Sequence, residues 1–222
     1  NSKIIKKNDV FFAIKGKRID GNRFISEAMQ KKSSLAIVNQ INKNYPTSKQ
    51  IKVKNTLNFL TKCSSTFRDN INAKIISITG SCGKTTLKEM IGQTLKKISK
   101  TTYSPRSFNN KYGVPLSLFN LKQNDEFGIF EVGMDKKGEI DNLTKVIKPD
   151  LGIITNISYA HSKNFKSIDQ IAEAKAEIMN NIKNEGAIIL NIDDNFYNYH
   201  KNLAQKKNLK VIIMDMITLI QI

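Results

Sequence analysis

Cysteine is scarce in this 222-residue chain: Cys63 and Cys82 are the two present, in unrelated contexts and without metal-ligand spacing. That scarcity argues against a disulfide framework or a zinc site and makes the reducing cytosol the expected compartment. Apolar runs long enough to span a membrane are absent, and no signal-peptide pattern opens the chain. There is no initiator Met either; Asn1-Ser2-Lys3 reads as a cut made inside a longer sequence, so the chain is expected to be a fragment. Internal repeats and low-complexity tracts are also missing. Acidic residues are few, with 19 Asp and Glu against 36 Lys and Arg, a net charge of +17. The lysines are spread evenly and no dense basic block interleaves with aromatics, so a solvated basic surface, or a field that draws in anionic nucleotide-bearing substrates, is favoured over nucleic-acid binding.

What is present is an ordinary globular balance, 40% hydrophobic and 25% charged, in a length that suits one large or two modest domains. The first seventy residues read as alternating short strands and helices. Val10 to Ile14 and Leu35 to Val38 are apolar runs, Phe24, Ile25, Ala28 and Met29 fall at helical spacing, and a helix capped by Asn55 carries Leu57, Leu60 and Phe67. The polar stretch Arg68 to Asn72 then marks an expected boundary, giving domains 1–72 and 73–222.

From Lys74 onward, runs at 75–78, 127–130, 151–154 and 187–190 alternate with helical segments, and Val211 to Met214 fits a last strand. This predicts crossover units and a mostly parallel sheet with helices on both faces. The fold class is therefore α/β, a small N-terminal domain followed by a P-loop-type domain. In such sheets ligands bind beyond the carboxyl ends of the strands. Residues 215–222 form an apolar end without turn or cap and support no functional reading.

The strongest local signal is Thr79-Gly80-Ser81-Cys82-Gly83-Lys84-Thr85-Thr86, between a strand and a helix whose Leu87, Met90, Ile91, Leu95 and Ile98 make one stripe. Glycines let backbone amides turn toward an anion, and the helix N-terminus favours phosphate. Lys84 would reach the β- and γ-phosphates, and the Thr85 hydroxyl would ligate magnesium. The general P-loop pattern would place its first glycine at Ile78, so this loop is shortened. Glu131 and His161 follow successive strands, where a carboxylate suits magnesium. Asn191 ends a third, where it either caps a helix or faces nucleotide. A helix over 168–182 would place Lys175 within the stripe of Ile168, Ile171, Ala172, Ile178, Met179 and Ile182, with Asp169, Glu173 and Glu177 off it. Burying that ammonium costs free energy unless it is neutralised, paired or snorkels to water.

The shortened loop resembles that of the Mur ligases and their folylpolyglutamate synthetase relatives. Leu87-Lys88-Glu89-Met90 narrows the resemblance, as do Asp9 to Gly16, Asp20-Gly21, Phe24-Ile25, Asn109 to Leu116, Phe130 to Met134, Gly138-Glu139-Ile140, Thr155-Asn156-Ile157 and Ala160-His161. They point to the branch that uses ATP to join D-alanyl-D-alanine to UDP-N-acetylmuramoyl-tripeptide through an acyl phosphate, in cell-wall synthesis. The resemblance covers residues 1 to about 210 and implies a UDP-substrate domain, an ATP domain and a third, C-terminal domain without counterpart here, so the fragment alone is expected to be inactive. It implies ATP contacts at Gly80, Ser81, Cys82, Gly83, Lys84, Thr85, Thr86, Asn110 and Asn191. Substrate contacts fall at Ser2, Lys3 (where the family usually shows Ser-Arg) and Asn109, although which of Asn109 and Asn110 faces which ligand is open. Magnesium ligands would be Thr85, Glu131, His161 and Lys175, the last as a carbamate, and Lys84, His161 and Lys175 would be catalytic. A monomer without nucleic-acid or membrane partners is expected. A sister ligase with another acceptor, a P-loop kinase or GTPase, and a basic RNA-binding module are the competing readings.

Overall fold

The computed structural model describes residues 5–16, 19–159 and 164–215. The chain divides into two compact units, Asn1–Cys63 and Ser64–Ile222. In the first, β1 (Val10–Phe12), β2 (Leu35–Val38) and β3 (Gln50–Lys52) form a parallel sheet in that order. The helix α1 (Ile25–Gln30) buries Ile25 and Ala28 against Phe11, Ala13, Ala36 and Val38. A longer helix, α2 (Thr56–Asp69), begins where Asn55 accepts the Asn58 amide at 2.9 Å, as its side-chain chemistry leads one to expect.

The division between units falls inside α2, earlier than the polar stretch the sequence suggested. Phe67 packs against the core of the second unit and lies 5.3 Å from the Phe119 ring. Arg68 is buried there, donating to the carbonyls of Ile147 at 2.9 Å, Ile71 at 2.6 Å and Lys148 at 3.3 Å. A polar run read as a boundary is thus an anchor, because a buried guanidinium needs several acceptors and three carbonyls converge on it.

The second unit is built on six parallel strands: β4 (Lys74–Thr79), β5 (Thr101–Tyr103), β6 (Phe127–Glu131), β7 (Leu151–Ile154), β8 (Ala187–Asn191) and β9 (Lys210–Met214). Their spatial order is β5-β6-β4-β7-β8-β9. Between them run α3 (Lys84–Lys96), α4 (Gly113–Leu118), α5 (Glu139–Ile147), α6 (Ile168–Ala176) and α7 (Tyr197–Lys206). One sheet face, through Ile76, Ile78, Ile129 and Ile153, packs on Leu87, Ile91 and Leu95 of α3. The other, through Ile75, Phe130, Ile154, Ile188 and Leu190, packs on residues of α4, α5, α6 and α7. The sheet is therefore covered on both faces, as its continuous apolar strands require.

Two expectations need correction. Met90 and Ile98 do not join the α3 stripe; they are 62% and 78% exposed. Lys88 and Gly92 occupy the buried side with Ile91 and Leu95, so α3 is turned away from the orientation that apolar residues alone suggest. The helix expected over 168–182 ends at Ala176 and tightens into a 3-10 segment, Glu177–Asn181. Glu177, expected off the apolar stripe, is buried and accepts the amides of Gly138 at 2.6 Å and Asp141 at 3.2 Å. It satisfies the start of α5, where unpaired amides and the helix dipole favour a carboxylate. Among the described residues no helix is long and apolar enough to cross a membrane.

Candidate active site

The chain reverses its direction across the sheet at β4, which lies between β6 and β7. Ligands in open parallel sheets bind at such a switch point, beyond the carboxyl ends of the strands. The loop 80–83 leaves β4 there. Gly80 has φ of +146°, and a Cβ on it would sit 1.8 Å from Thr155 Oγ1. Gly83, at φ +79°, starts α3. Both conformations are ones that side chains resist. The strand register places Thr79 beside Ile154, so the residues after β7 hold the loop from the side. Asn156 accepts the Ser81 amide through its carbonyl at 2.9 Å and the Cys82 amide through Oδ1 at 3.0 Å. Thr155 Oγ1 donates to the Cys82 carbonyl at 2.6 Å, and Ser81 and Ser158 exchange two further hydrogen bonds.

The first-turn amides of α3 have no acceptor within the helix and point out of its N-terminus, the arrangement that receives phosphate. Lys84 arches over the loop and donates to the carbonyls of Gly80 at 2.7 Å and Ser81 at 3.2 Å. Burial lowers its pKa, against the opposing pull of Glu131 and Cys82. Thr86 follows on α3, exposed.

The register of β4 with β6 sets Glu131 opposite Ile78, at the foot of the loop. Its carboxylate is fully buried; Oε2 accepts the Thr85 hydroxyl at 2.7 Å and Oε1 accepts Asn109 Nδ2 at 2.8 Å. Among the described residues no three His, Cys, Asp or Glu side chains gather as a metal cluster. Magnesium does not need one: it takes one or two carboxylates, keeps waters and completes its shell with substrate phosphate. A buried carboxylate beside a hydroxyl under a phosphate loop is a donor set of that kind, so the residues fit the ion.

Asn109 and Asn110 are separated by the structure. Asn109 faces Glu131, whereas Asn110 Oδ1 accepts the amides of Tyr112 and Gly113, each at 3.0 Å, and starts α4. Asn191 lies at the end of β8, its Nδ2 3.4 Å from the Thr155 carbonyl and its Oδ1 accepting the Asp193 amide at 3.0 Å. Lys175 on α6 is 2% exposed, and among the described residues no hydrogen-bond acceptor meets its ammonium. Burial, reinforced by the Lys84 charge and weakly opposed by Cys82, pushes its pKa from the ordinary lysine value down to about 7. Because the Lys84 charge acts on it, Lys175 lies at the same end of the sheet as the loop. Ser2, Lys3 and His161 lie outside the described residues.

The sequence reading assigned no role to Thr155 or Asn156, although they hold the loop, nor to Asp194, which accepts the Ile157 amide at 2.6 Å. The available signal was position, since Thr155 and Asn156 directly follow a buried strand.

The Mur ligase middle domain matches residues 78–217 of this chain. The UDP-N-acetylmuramoyl-tripeptide–D-alanyl-D-alanine ligase of Rickettsia prowazekii (strain Madrid E) is 39% identical over 211 residues, 95% of this chain and 46% of that protein. Among solved structures, MurF from Acinetobacter baumannii aligns with a TM-score of 0.86 at 31% identity, over 97% of this chain and 46% of that one. The MurF ligase from Thermotoga maritima in complex with ADP aligns with a TM-score of 0.82 at 29% identity, over 97% and 49%. The chain spans about half the length of these relatives. With the middle-domain match and the phosphate loop at the switch point agreeing, the chain belongs to the Mur ligase family.

Proposed function

We propose that this chain forms the ATP-binding part of a ligase that joins D-alanyl-D-alanine to UDP-N-acetylmuramoyl-tripeptide, a step in peptidoglycan precursor synthesis. The observation that carries this reading is the corner under the phosphate loop, where the Thr85 hydroxyl meets the buried Glu131 carboxylate at 2.7 Å. Residues 64–222 would bind ATP, and residues 1–63 the UDP end of the second substrate, with Ser2 and Lys3 among its contacts. Acceptor binding and completion of the reaction would need the part of the relatives' length that this chain does not span.

The reaction has two stages. A terminal carboxylate oxygen of the tripeptide bonds to the γ-phosphorus of ATP as the bridge to the β-phosphate breaks, leaving ADP and an acyl phosphate. The D-alanyl-D-alanine amine then attacks the acyl carbon, loses a proton, and expels inorganic phosphate as the amide forms. Magnesium, held by Thr85 and Glu131, would supply positive charge at the transferring phosphoryl group. The α3 amides cradle the phosphates, Lys84 exchanges its loop carbonyls for phosphate oxygens, and Asn109 keeps Glu131 aimed at Thr85. Such electrostatic placement is the main catalytic demand of phosphoryl transfer.

Lys175 would take part as a carbamate. Its neutral amine bonds to the carbon of CO₂ and releases a proton, turning a cation that would repel metal into an anionic oxygen donor. Burial and the neighbouring Lys84 charge support this by favouring the neutral amine near pH 7. In the family resemblance His161 stands beside it.

Phosphate release is the test, measured with the full-length protein. Release that needs ATP, UDP-N-acetylmuramoyl-tripeptide and D-alanyl-D-alanine together is expected. Release driven by another amino-acid acceptor would make the protein a sister ligase, and release driven by RNA or by neither substrate would refute the proposal.

A further inference from the structure

The segment between β5 and α4 supplies two side chains to the corner under the phosphate loop. Ser107 Oγ lies 3.3 Å from Thr85 Oγ1, and Asn109 Nδ2 donates to Glu131 at 2.8 Å. The segment has neither helix nor strand, and residues 105–108 are exposed. Arg106 has φ of +49°, a conformation uncommon for any residue but glycine. Local propensity therefore does not hold this shape.

Lys88 does. It lies on α3 one turn beyond Lys84, and its side chain is fully buried. Its ammonium donates to the carbonyls of Ser104 at 2.7 Å and Arg106 at 2.6 Å, and pairs with Glu89 Oε1 at 2.9 Å. An ammonium has three hydrogens, and three acceptors surround this one. Two of them belong to the backbone of the segment, on either side of Pro105.

We propose that Lys88 is a positioning residue for the metal corner: by gripping the Ser104 and Arg106 carbonyls it sets Ser107 against Thr85 and Asn109 against Glu131. The proposal rests on reading that corner as the magnesium site. The helix α3 then builds the corner twice, directly through Thr85 and indirectly through Lys88. The lysine chemistry suits the task, since a compact charge on a long stem reaches two carbonyls two residues apart. A methionine there fills most of the space but leaves both carbonyls without their donor, and the segment is free to relax.

Nucleotide affinity with and without magnesium tests this, read by competition with a fluorescent ATP analogue on the full chain. Lys88→Met is expected to keep metal-free ATP affinity within about twofold, while the gain in affinity on adding magnesium shrinks by about tenfold, the usual scale for a group that supports a metal ligand. Thr85→Ala should remove the same gain, and the double variant should be no worse than Thr85→Ala, because both act on one corner. Additive losses, or a magnesium gain that survives Lys88→Met, overturn the proposal. If Lys88→Met fails to fold, Glu89→Gln at the part-exposed rim takes its place: a smaller loss of the magnesium gain supports the proposal, and no loss overturns it. A wild-type protein that binds ATP with no magnesium gain refutes the reading of the corner itself. A normal wild-type gain that the variants leave intact refutes only the role of Lys88.

Discussion

The helices α3 and α6 each bury a lysine at the same end of the sheet, and the protein treats the two in opposite ways. Lys88 is fully buried with an acceptor for each of its three hydrogens. Lys175 is 2% exposed, meets no hydrogen-bond acceptor among the described residues, and feels the Lys84 charge. Removing an ion from water is costly, and the cost is offset only when the lost hydration is replaced by hydrogen bonds and opposite charge. Lys88 has that replacement, in two backbone carbonyls and the Glu89 carboxylate. Lys175 has no such set of acceptors among the described residues, and burial with the Lys84 charge moves its amine toward the neutral form. Burial alone thus says little about what a lysine does; the acceptors around it decide.

The largest expected effect separates the two lysines by chemistry. Lys175→Ala should lower turnover by roughly a thousandfold, the scale seen when one preorganised charge is lost from an active site. Short carboxylates supplied in the assay should restore part of it by replacing the carbamate oxygens. Phosphate release with both substrates reads the effect, and full activity in the variant would place Lys175 on the structural side of the comparison.

Stability should then move in opposite directions. Lys88→Met leaves two carbonyls without their donor and is expected to cost about 3 kcal/mol by urea unfolding. Lys175→Met should instead stabilise the protein at pH 6, by about 2 kcal/mol in buffer free of CO₂. The sign follows from the titration. The folded pKa, about 7, lies below that of the unfolded chain, so the folded protein must either bury the charge or release the proton. Wild-type stability is therefore lowest below pH 7 and rises as pH climbs toward the ordinary lysine range. The advantage of Lys175→Met shrinks over that same interval. A constant difference from pH 6 to pH 10 would contradict the neutral-amine account.

A smaller effect tests whether α6 contributes through its end as well as through Lys175. Glu177→Gln keeps the shape but removes the charge that faces the start of α5, where Gly138 and Asp141 donate to it. A loss of about 1 kcal/mol is expected, with the pH dependence assigned to Lys175 unchanged.

The contrast between the lysines also marks what the sequence made legible. The strands β4, β6, β7, β8 and β9 stood out as apolar runs because a parallel sheet buries both faces of its strands. The edge strand β5, Thr101–Tyr103, is three residues long and half polar in character, and it passed unnoticed. The phosphate loop was readable because its demands are local: glycines, a lysine and a threonine between strand and helix. The partners of that loop were not, since the grip of Thr155 and Asn156 depends on which strand lies beside β4. Lys175 was placed on a buried face because its neighbours are apolar. Lys88 escaped because a period count scores lysine as exposed, and the same error turned α3 toward Met90 and Ile98. Glu177 was misplaced because the helix tightens at its own position. Polar residues at work inside a core are what hydrophobic periodicity reads worst.

The role proposed for Lys175 is that of a neutral amine placed to become an anion beside the phosphate loop. Nuclear magnetic resonance with isotopically labelled bicarbonate tests it most directly, on the full chain with ATP and magnesium. A protein-bound carbamate signal is expected that disappears in Lys175→Ala, persists in Lys88→Met, and fades as the pH falls below about 7, the value to which burial and Lys84 bring this amine. A wild-type protein that ligates at full rate with no such signal, or a signal that survives Lys175→Ala, would contradict it.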